Sequence, residues 1–200
     1  MTELRSDGGG RASSTPDSGR ARTILTVAAK LFRERGYSGT TVRDLASEAG
    51  ISSGSVFHHF KTKEEVLLRV VEEGLAESMA RIDAAVVAGM DPRETLRAMI
   101  RAHVGTLLEG SPAAMSVLFY ERWSLSPESL SRLIGMRDQY EHEWDVALAA
   151  LGGDYLNRSH RRLARLLLFG AMNWTAQWYS PSGEFSLDEI SAALADRYLG

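Results

Sequence analysis

Between residues 53 and 59 the chain reads SGSVFHH, and these side chains suit one kind of chemistry. Ser53 and Ser55 bring hydroxyls that donate or accept, His58 and His59 bring imidazoles, and Phe57 brings a flat apolar ring. At helical spacing Val56 and Phe60 lie four apart and can turn toward a neighbouring helix. That leaves Ser53, Ser55, Phe57, His58 and His59 for the opposite face. Hydroxyls, imidazoles and one aromatic ring on a short exposed helix fit the groove of a duplex better than a protein core. Neighbouring residues on a helix point about 100° apart, so His58 and His59 do not share one role. A metal pair on one helix needs spacing of three or four, which this pair lacks.

Two elements must position that face. Thr41 can cap a helix whose apolar side is Val42, Leu45, Ala46 and Ala49, with Asp44 at capping-box spacing. Gly50 supplies the left-handed residue that stops it, and Ile51 packs the turn. Ser52 or Ser53 then caps a second short helix running through Phe60. Two short helices joined steeply by a tight turn, the second free to enter a major groove, make a helix-turn-helix. Periodicity alone favours an ordinary helical hairpin with a polar outer face.

Composition sets the frame. The chain has 200 residues, 44% of them hydrophobic, enough to bury a core in one or two compact units. Without cysteine, disulfides and thiolate metal sites are excluded. No apolar run is long enough for a membrane span, and the N-terminus MTELRSDGGGRASSTPDSG lacks the apolar core of a secretory signal. These features predict a cytoplasmic protein. The net charge is -3, but unevenly spread: residues 1–65 carry ten Lys/Arg against eight Asp/Glu, and the remainder thirteen against eighteen. A weakly basic end on an acidic body allows local phosphate binding.

Residues 1–19, rich in Gly, Ser and Arg, predict a disordered arm in which Arg5 and Arg11 are most simply solvated. From Arg20 to Arg35, Ile24, Val27, Ala28, Leu31 and Phe32 recur at helical spacing, ended by Gly36. Thr62 and Glu65 form a capping box opening a long helix to about Ala88. Further helices are predicted over 92–109, 113–123, 127–150, 157–180 and 186–199, with breaks at Gly110-Ser111-Pro112, Ser126-Pro127, Gly152-Gly153 and Pro181-Ser182-Gly183. The expected fold is all-α with about nine helices: an N-terminal three-helix DNA-binding domain over 20–66 and a C-terminal helical bundle over 67–200.

Residues 22–67 resemble the DNA-binding domain of the TetR family of bacterial repressors. The resemblance rests on Ala28, Ala29, Leu31, Phe32, Gly36, Tyr37, Thr40, Thr41, Val42, Leu45, Ala46, Ala49, Gly50, Ile51, Gly54, Phe60, Lys63 and Glu65. It implies that Thr41, Arg43, Ser53, Gly54, Ser55, Phe57, His58, His59 and Lys63 face DNA. Thr41 would present its hydroxyl and a helix N-terminus to phosphate, Arg43 and Lys63 would add charge, and Gly54 would allow close approach. Ser53 and Ser55 would reach base edges or phosphates, and Phe57 a thymine methyl. His59 would turn toward phosphate and His58 would sit at the helix edge. Phe57 departs from the usual Tyr and Ser53 from a common basic residue, which predicts modest affinity per half-site.

One such motif reads few base pairs, so two copies are needed on a palindromic operator. The resemblance implies that the last two helices pair across a two-fold axis as a homodimer, through Leu163, Leu166, Leu167, Gly170, Ala171, Ile190, Ala193, Leu194 and Tyr198; burial within one subunit is the alternative. The middle helices hold Met99, Met115, Phe119, Trp123, Met136, Tyr140 and Trp144, which read as core or as the lining of an effector pocket. Residues 168–190 resemble the C-terminal signature of TetR-type regulators of fatty-acid and sterol-ring degradation, through Asn173-Trp174, Trp178-Tyr179, Pro181, Gly183 and Ser186. Those regulators answer to acyl-coenzyme A thioesters. A thioester needs an apolar tunnel, for which Met115, Phe119, Trp123, Tyr140, Trp144, Asn173 and Trp174 are candidates. It also needs cations for its phosphates, for which Arg97, Arg101, Arg122 and Arg162 are candidates.

Catalytic signatures are missing: there is no cysteine nucleophile, G-x-S-x-G elbow, P-loop or H-E-x-x-H. Glu141, His142 and Glu143 are consecutive and diverge around a helix. No catalytic residue, metal or cofactor is expected. The functional expectation is a repressor released by a small hydrophobic effector such as an acyl-coenzyme A. The rivals are a TetR-type efflux regulator answering to a lipophilic compound, and a helical ligand-binding or adaptor module without DNA function.

Overall fold

The structure is a computed structural model that describes residues 16–109 and 125–199. Among them there are eight α-helices and no strand: α1 Pro16–Arg35, α2 Val42–Glu48, α3 Ser53–His59, α4 Lys63–Ala85, α5 Pro92–Leu108, α6 Pro127–Ala150, α7 Arg158–Trp178 and α8 Leu187–Leu199. The helix predicted over 113–123 lies outside the described residues, and with it Met115, Phe119, Arg122 and Trp123. Most of the predicted arm does too, although 16–19 belong to α1, which starts at Pro16 rather than Arg20. Proline at a first helical position has its backbone angle already set and loses no hydrogen bond there.

Side-chain caps begin most of these helices. Thr41 accepts from the Asp44 amide while the Asp44 carboxylate accepts from the Thr41 amide, a complete capping box. Ser52, not Ser53, caps α3. Thr62, Asp91, Ser126 and Asn157 cap α4, α5, α6 and α7. Ser186 and Glu189 form a reciprocal pair at the start of α8. Helix α4 ends at Ala85, three residues earlier than predicted. Between α6 and α7, Gly153–Leu156 forms a short 3-10 turn that the sequence did not predict.

The first three helices pack on one another and α1 packs on α4, burying Ile24, Ala28, Leu31, Phe32, Leu45, Val56 and Phe60. Gly50 takes φ +66°, which ends α2 as expected. Gly39 is fixed by space instead: a Cβ there would lie 2.3 Å from the Arg35 carbonyl oxygen. Helix α4 then runs into the body, where α5 packs against α4, α6, α7 and α8. The body core includes Leu96, Ile100, Val104, Tyr140, Trp144, Leu148, Leu168 and Met172.

Candidate functional site

The head meets solvent through the face of α3 that the sequence selected. Val56 and Phe60 are buried, whereas Phe57 is 52% exposed and His58 is exposed; Ser53, Ser55 and His59 are partly exposed. The Ser55 hydroxyl sits 3.0 Å from that of Ser52, so it belongs to the cap and still reaches the surface. A Cβ added at Gly54 would meet nothing closer than the Ser52 hydroxyl at 3.7 Å. Packing within the chain therefore does not require glycine there, and an approaching surface would benefit from it. Thr41 and Arg43 are exposed at the start of α2. Hydrogen bonds from Thr41 hold the Asp44 carboxyl below its ordinary pKa.

Lys63 has an internal task that the sequence did not predict. Its Nζ donates to the carbonyls of Tyr37 and Thr40, both at 2.8 Å, and lies 4.0 Å from the centre of the Tyr37 ring. The ammonium thus ties the first residue of α4 to the turn between α1 and α2. Thr40, wholly buried, closes the same turn by donating to the Gly36 carbonyl at 2.9 Å and reaches α1 at the Leu31 carbonyl, 3.3 Å away. The expected phosphate contact of Lys63 would be additional to this structural role.

In the body, a cavity of about 420 Å³ opens between α4, α5 and α6. Met79, Ile82, Val86, Met90, Met99, Tyr140, Val146 and Ala147 form its apolar lining, with Pro92, Thr95 and Ala150, while Asp83 and Glu143 contribute carboxylates. Three flexible methionines let such a wall adapt to irregular apolar shapes. Among the described residues no Lys, Arg or His lines it.

Several predicted ligand contacts lie elsewhere. Trp144 is completely buried, edge-on to His103 and Phe169, and belongs to the core. Trp174 is 62% exposed and does not line the cavity. Asn173 does not line the cavity and instead bonds to His103. Arg97 pairs with Asp196 and Arg101 with Asp188, each at 2.7 Å, so both brace α5 against α8. Arg93 adds a bond to the Leu199 carbonyl. Arg162 is exposed on α7, beside Leu163.

Helix α7 separates its two sides sharply. Arg165 is buried and reaches Glu141 and Asp145 of α6 at 2.6 and 2.7 Å, while Leu168, Phe169 and Met172 enter the core. Leu163, Leu166, Leu167, Trp174 and Trp178 are each about half exposed or more, with Gly170 open between them. The predicted partner in α8 is less complete. Ile190 is 7% exposed and packs within the chain's own core, because α8 turns that side to α5. Leu194 and Tyr198 are partly buried and Ala193 is exposed; Ala171 on α7 is partly buried.

Two buried polar groups carry no signal in the sequence, His103 and Ser78. They stand at 0% exposure and both hydrogen bond to Tyr140, itself 2% exposed. Burial lowers the His103 imidazole from 6.5 to about 4, opposed by the Asn173 hydrogen bond, and raises the Tyr140 phenol to about 12. Both are neutral in the folded protein at neutral pH. A histidine in the apolar run of α5 carries no local sign of partners so far along the chain. Among the described residues no group of three His, Asp or Glu is placed to hold a metal.

An exposed short helix on a capped three-helix head, joined by one long helix to a helical body, is the arrangement of a helix-turn-helix DNA-binding regulator. Comparisons with known proteins assign the family. Residues 24–70 match the bacterial regulatory proteins of the tetR family, and residues 89–200 match the tetracyclin repressor-like C-terminal domain. The chain belongs to the tetR family of DNA-binding transcriptional repressors, which act by binding and not by catalysis. It is 30% identical over 177 residues to the HTH-type transcriptional repressor KstR2 of Rhodococcus jostii, covering 87% of this chain and 86% of that protein. The solved superantigen PfiT matches with a TM-score of 0.71 and 38% identity over 92% of this chain and 97% of that one. AibR, solved with isovaleryl coenzyme A and operator DNA, has a TM-score of 0.76 at 22% identity, covering 89% and 97%. At that identity AibR supports the fold alone.

Proposed function

We propose that this chain works as a homodimer that grips a palindromic operator with two α3 helices and releases it when a small hydrophobic effector enters the cavity. The observation that carries this is the apolar face of α7, where Leu163, Leu166, Leu167, Trp174 and Trp178 stand exposed in one stripe. These side chains are already about half buried, so covering each gains roughly half of the 1.5–3 kcal/mol of a full burial, offset in part by the cost of association; the stripe supports a second copy laid on this face. The head comprises residues 20–66 and the body 67–200, with α4 as the rod between them. Acting on the chromosome, the protein works in the cytoplasm; no described helix is long and apolar enough to cross a membrane.

Ser53, Ser55 and Phe57 would read base edges. Thr41, Arg43 and His59 would contact the backbone, with His58 at the edge of the reading helix, and Lys63 would hold the turn that presents Thr41. For the effector, the resemblance of residues 168–190 to acyl-coenzyme A-responsive regulators supports a thioester, and the apolar lining supports its acyl chain. Among the described residues the lining offers carboxylates and no cation, so the coenzyme phosphates would stay outside that part of it. That same lining favours a second reading, a lipophilic compound without phosphates. Calorimetric titration with acyl-coenzyme A thioesters of several lengths, and with the matching acyl alcohols, separates the two. Thioester binding that releases operator DNA supports the first, and binding of the alcohols alone supports the second. No heat from either, with operator binding unchanged, contradicts the cavity as the effector site.

A further inference from the structure

Four polar side chains from four helices are joined end to end beneath the cavity. The Tyr140 hydroxyl of α6 lies 2.9 Å from the Ser78 hydroxyl of α4 and 2.6 Å from His103 Nδ1 of α5. His103 Nε2 lies 3.2 Å from the Asn173 amide oxygen of α7. An amide oxygen only accepts, so Nε2 carries the imidazole proton and Nδ1 accepts. Tyr140 therefore donates to His103 and accepts from Ser78, and the donors all point from α4 toward α7. The His103 and Phe169 rings stack 5.6 Å apart and 6° from parallel, which fixes the imidazole plane.

One member of this chain is a cavity wall. Tyr140 lines the space beside Met99 and Ala147, while Ser78, His103 and Asn173 lie behind it. The two ends of the chain reach the two parts that an operator needs. Ser78 is fifteen residues along α4 from Lys63, about 22 Å down the rod, and Lys63 is bonded to the turn that presents the head. Asn173 precedes Trp174, which stands in the exposed stripe of α7. The Asn173 amide nitrogen is buried without a partner, so that amide has unused donors for a second arrangement. Buried polar networks bind their members to one geometry, because each displaced member strands its neighbour.

We propose that Tyr140 is the residue through which the cavity reports its occupancy: an occupant that displaces its ring moves the hydroxyl that holds α4 through Ser78 and α7 through His103 and Asn173. The inference rests on the cavity being the effector site, and it adds which atoms carry the signal. His103 and Ser78 are positioning residues in this scheme, since they touch the occupant only through Tyr140.

The test needs no identified ligand. Filling the cavity with Ala147→Leu or Ala147→Phe stands in for an occupant, and operator affinity is measured on full-length protein with a duplex selected from a random pool by the unmodified chain. Each filled variant is compared in the native background, in Tyr140→Phe and in Ser78→Ala, with helicity and thermal midpoint recorded for all. We expect filling to weaken operator binding about tenfold or more in the native background, inside the usual range of allosteric coupling. In Tyr140→Phe and Ser78→Ala the same filling should change affinity less than about twofold, since the link to α4 is cut. Equal loss in all backgrounds overturns the relay and leaves the cavity as effector site. No loss in any background also overturns the relay, and the effector titration then judges the cavity independently. If Ala147→Phe lowers helicity, Ala147→Leu decides.

Discussion

The head and the body treat their polar groups in opposite ways. In the head, apart from Lys63 to the turn and Lys30 to Glu48, the side-chain bonds at the surface close over a few residues: Thr41 with Asp44, Ser52 with Ser55, Lys61 with Glu65. The polar groups stay near water and the apolar ones go inside. In the body, the telling bonds cross the chain: Ser78 to Tyr140, Tyr140 to His103, His103 to Asn173. There the polar groups are buried, and α7 leaves tryptophans and leucines outside. A surface of capped helix starts and hydroxyls is prepared for phosphates and base edges. A surface of half-exposed leucine and tryptophan is prepared for another apolar surface.

The largest effect that would sharpen this contrast comes from the body. Leu167→Glu puts a charge in the middle of the α7 stripe, and self-association should be lost, with operator affinity down about a hundredfold or more. Sedimentation and operator titration check it; an unchanged dimer would place the interface elsewhere.

Next comes the buried imidazole. Its folded pKa of about 4 lies below the ordinary 6.5, so the unfolded chain binds the proton first as pH falls. The stability it contributes is therefore complete above pH 6.5 and drains away between 6.5 and 4, by up to about 3 kcal/mol. His103→Gln should flatten that part of the stability profile in denaturant titrations at pH 7 and pH 4.5. An equal acid slope in both proteins would mean that the imidazole is not buried neutral.

The smallest effect belongs to the head. Arg43→Ala should weaken operator binding severalfold, with little sequence bias, and lower the salt slope by about 1. Arg43 is a cleaner probe than Lys63, whose loss would also release the turn at Tyr37 and Thr40.

The same contrast explains what could be read from residues alone. Thr41, Asp44, Gly50 and Ser52 act on neighbours three or four positions away, so their roles are visible in the order of residue types. The leucine part of the α7 stripe is visible too, because Leu163, Leu166 and Leu167 recur at helical spacing. Which side of a helix meets which partner is a different matter. Trp174, a candidate for the tunnel, stands at the surface; Ile190, open to either a dimer face or the chain's own core, is buried in the core. Arg97 and Arg101 were expected to meet phosphates and instead meet Asp196 and Asp188. Each outcome depends on a residue many turns away, as does the link from His103 to Asn173. Local pattern carries no information about those distances.

The most direct test of two heads held by one apolar face is stoichiometry on DNA. The intact chain should bind a full palindromic duplex as two copies, at least about a hundredfold more tightly than a duplex carrying one half-site. Equal affinity for the two duplexes, with one chain on each, would contradict it.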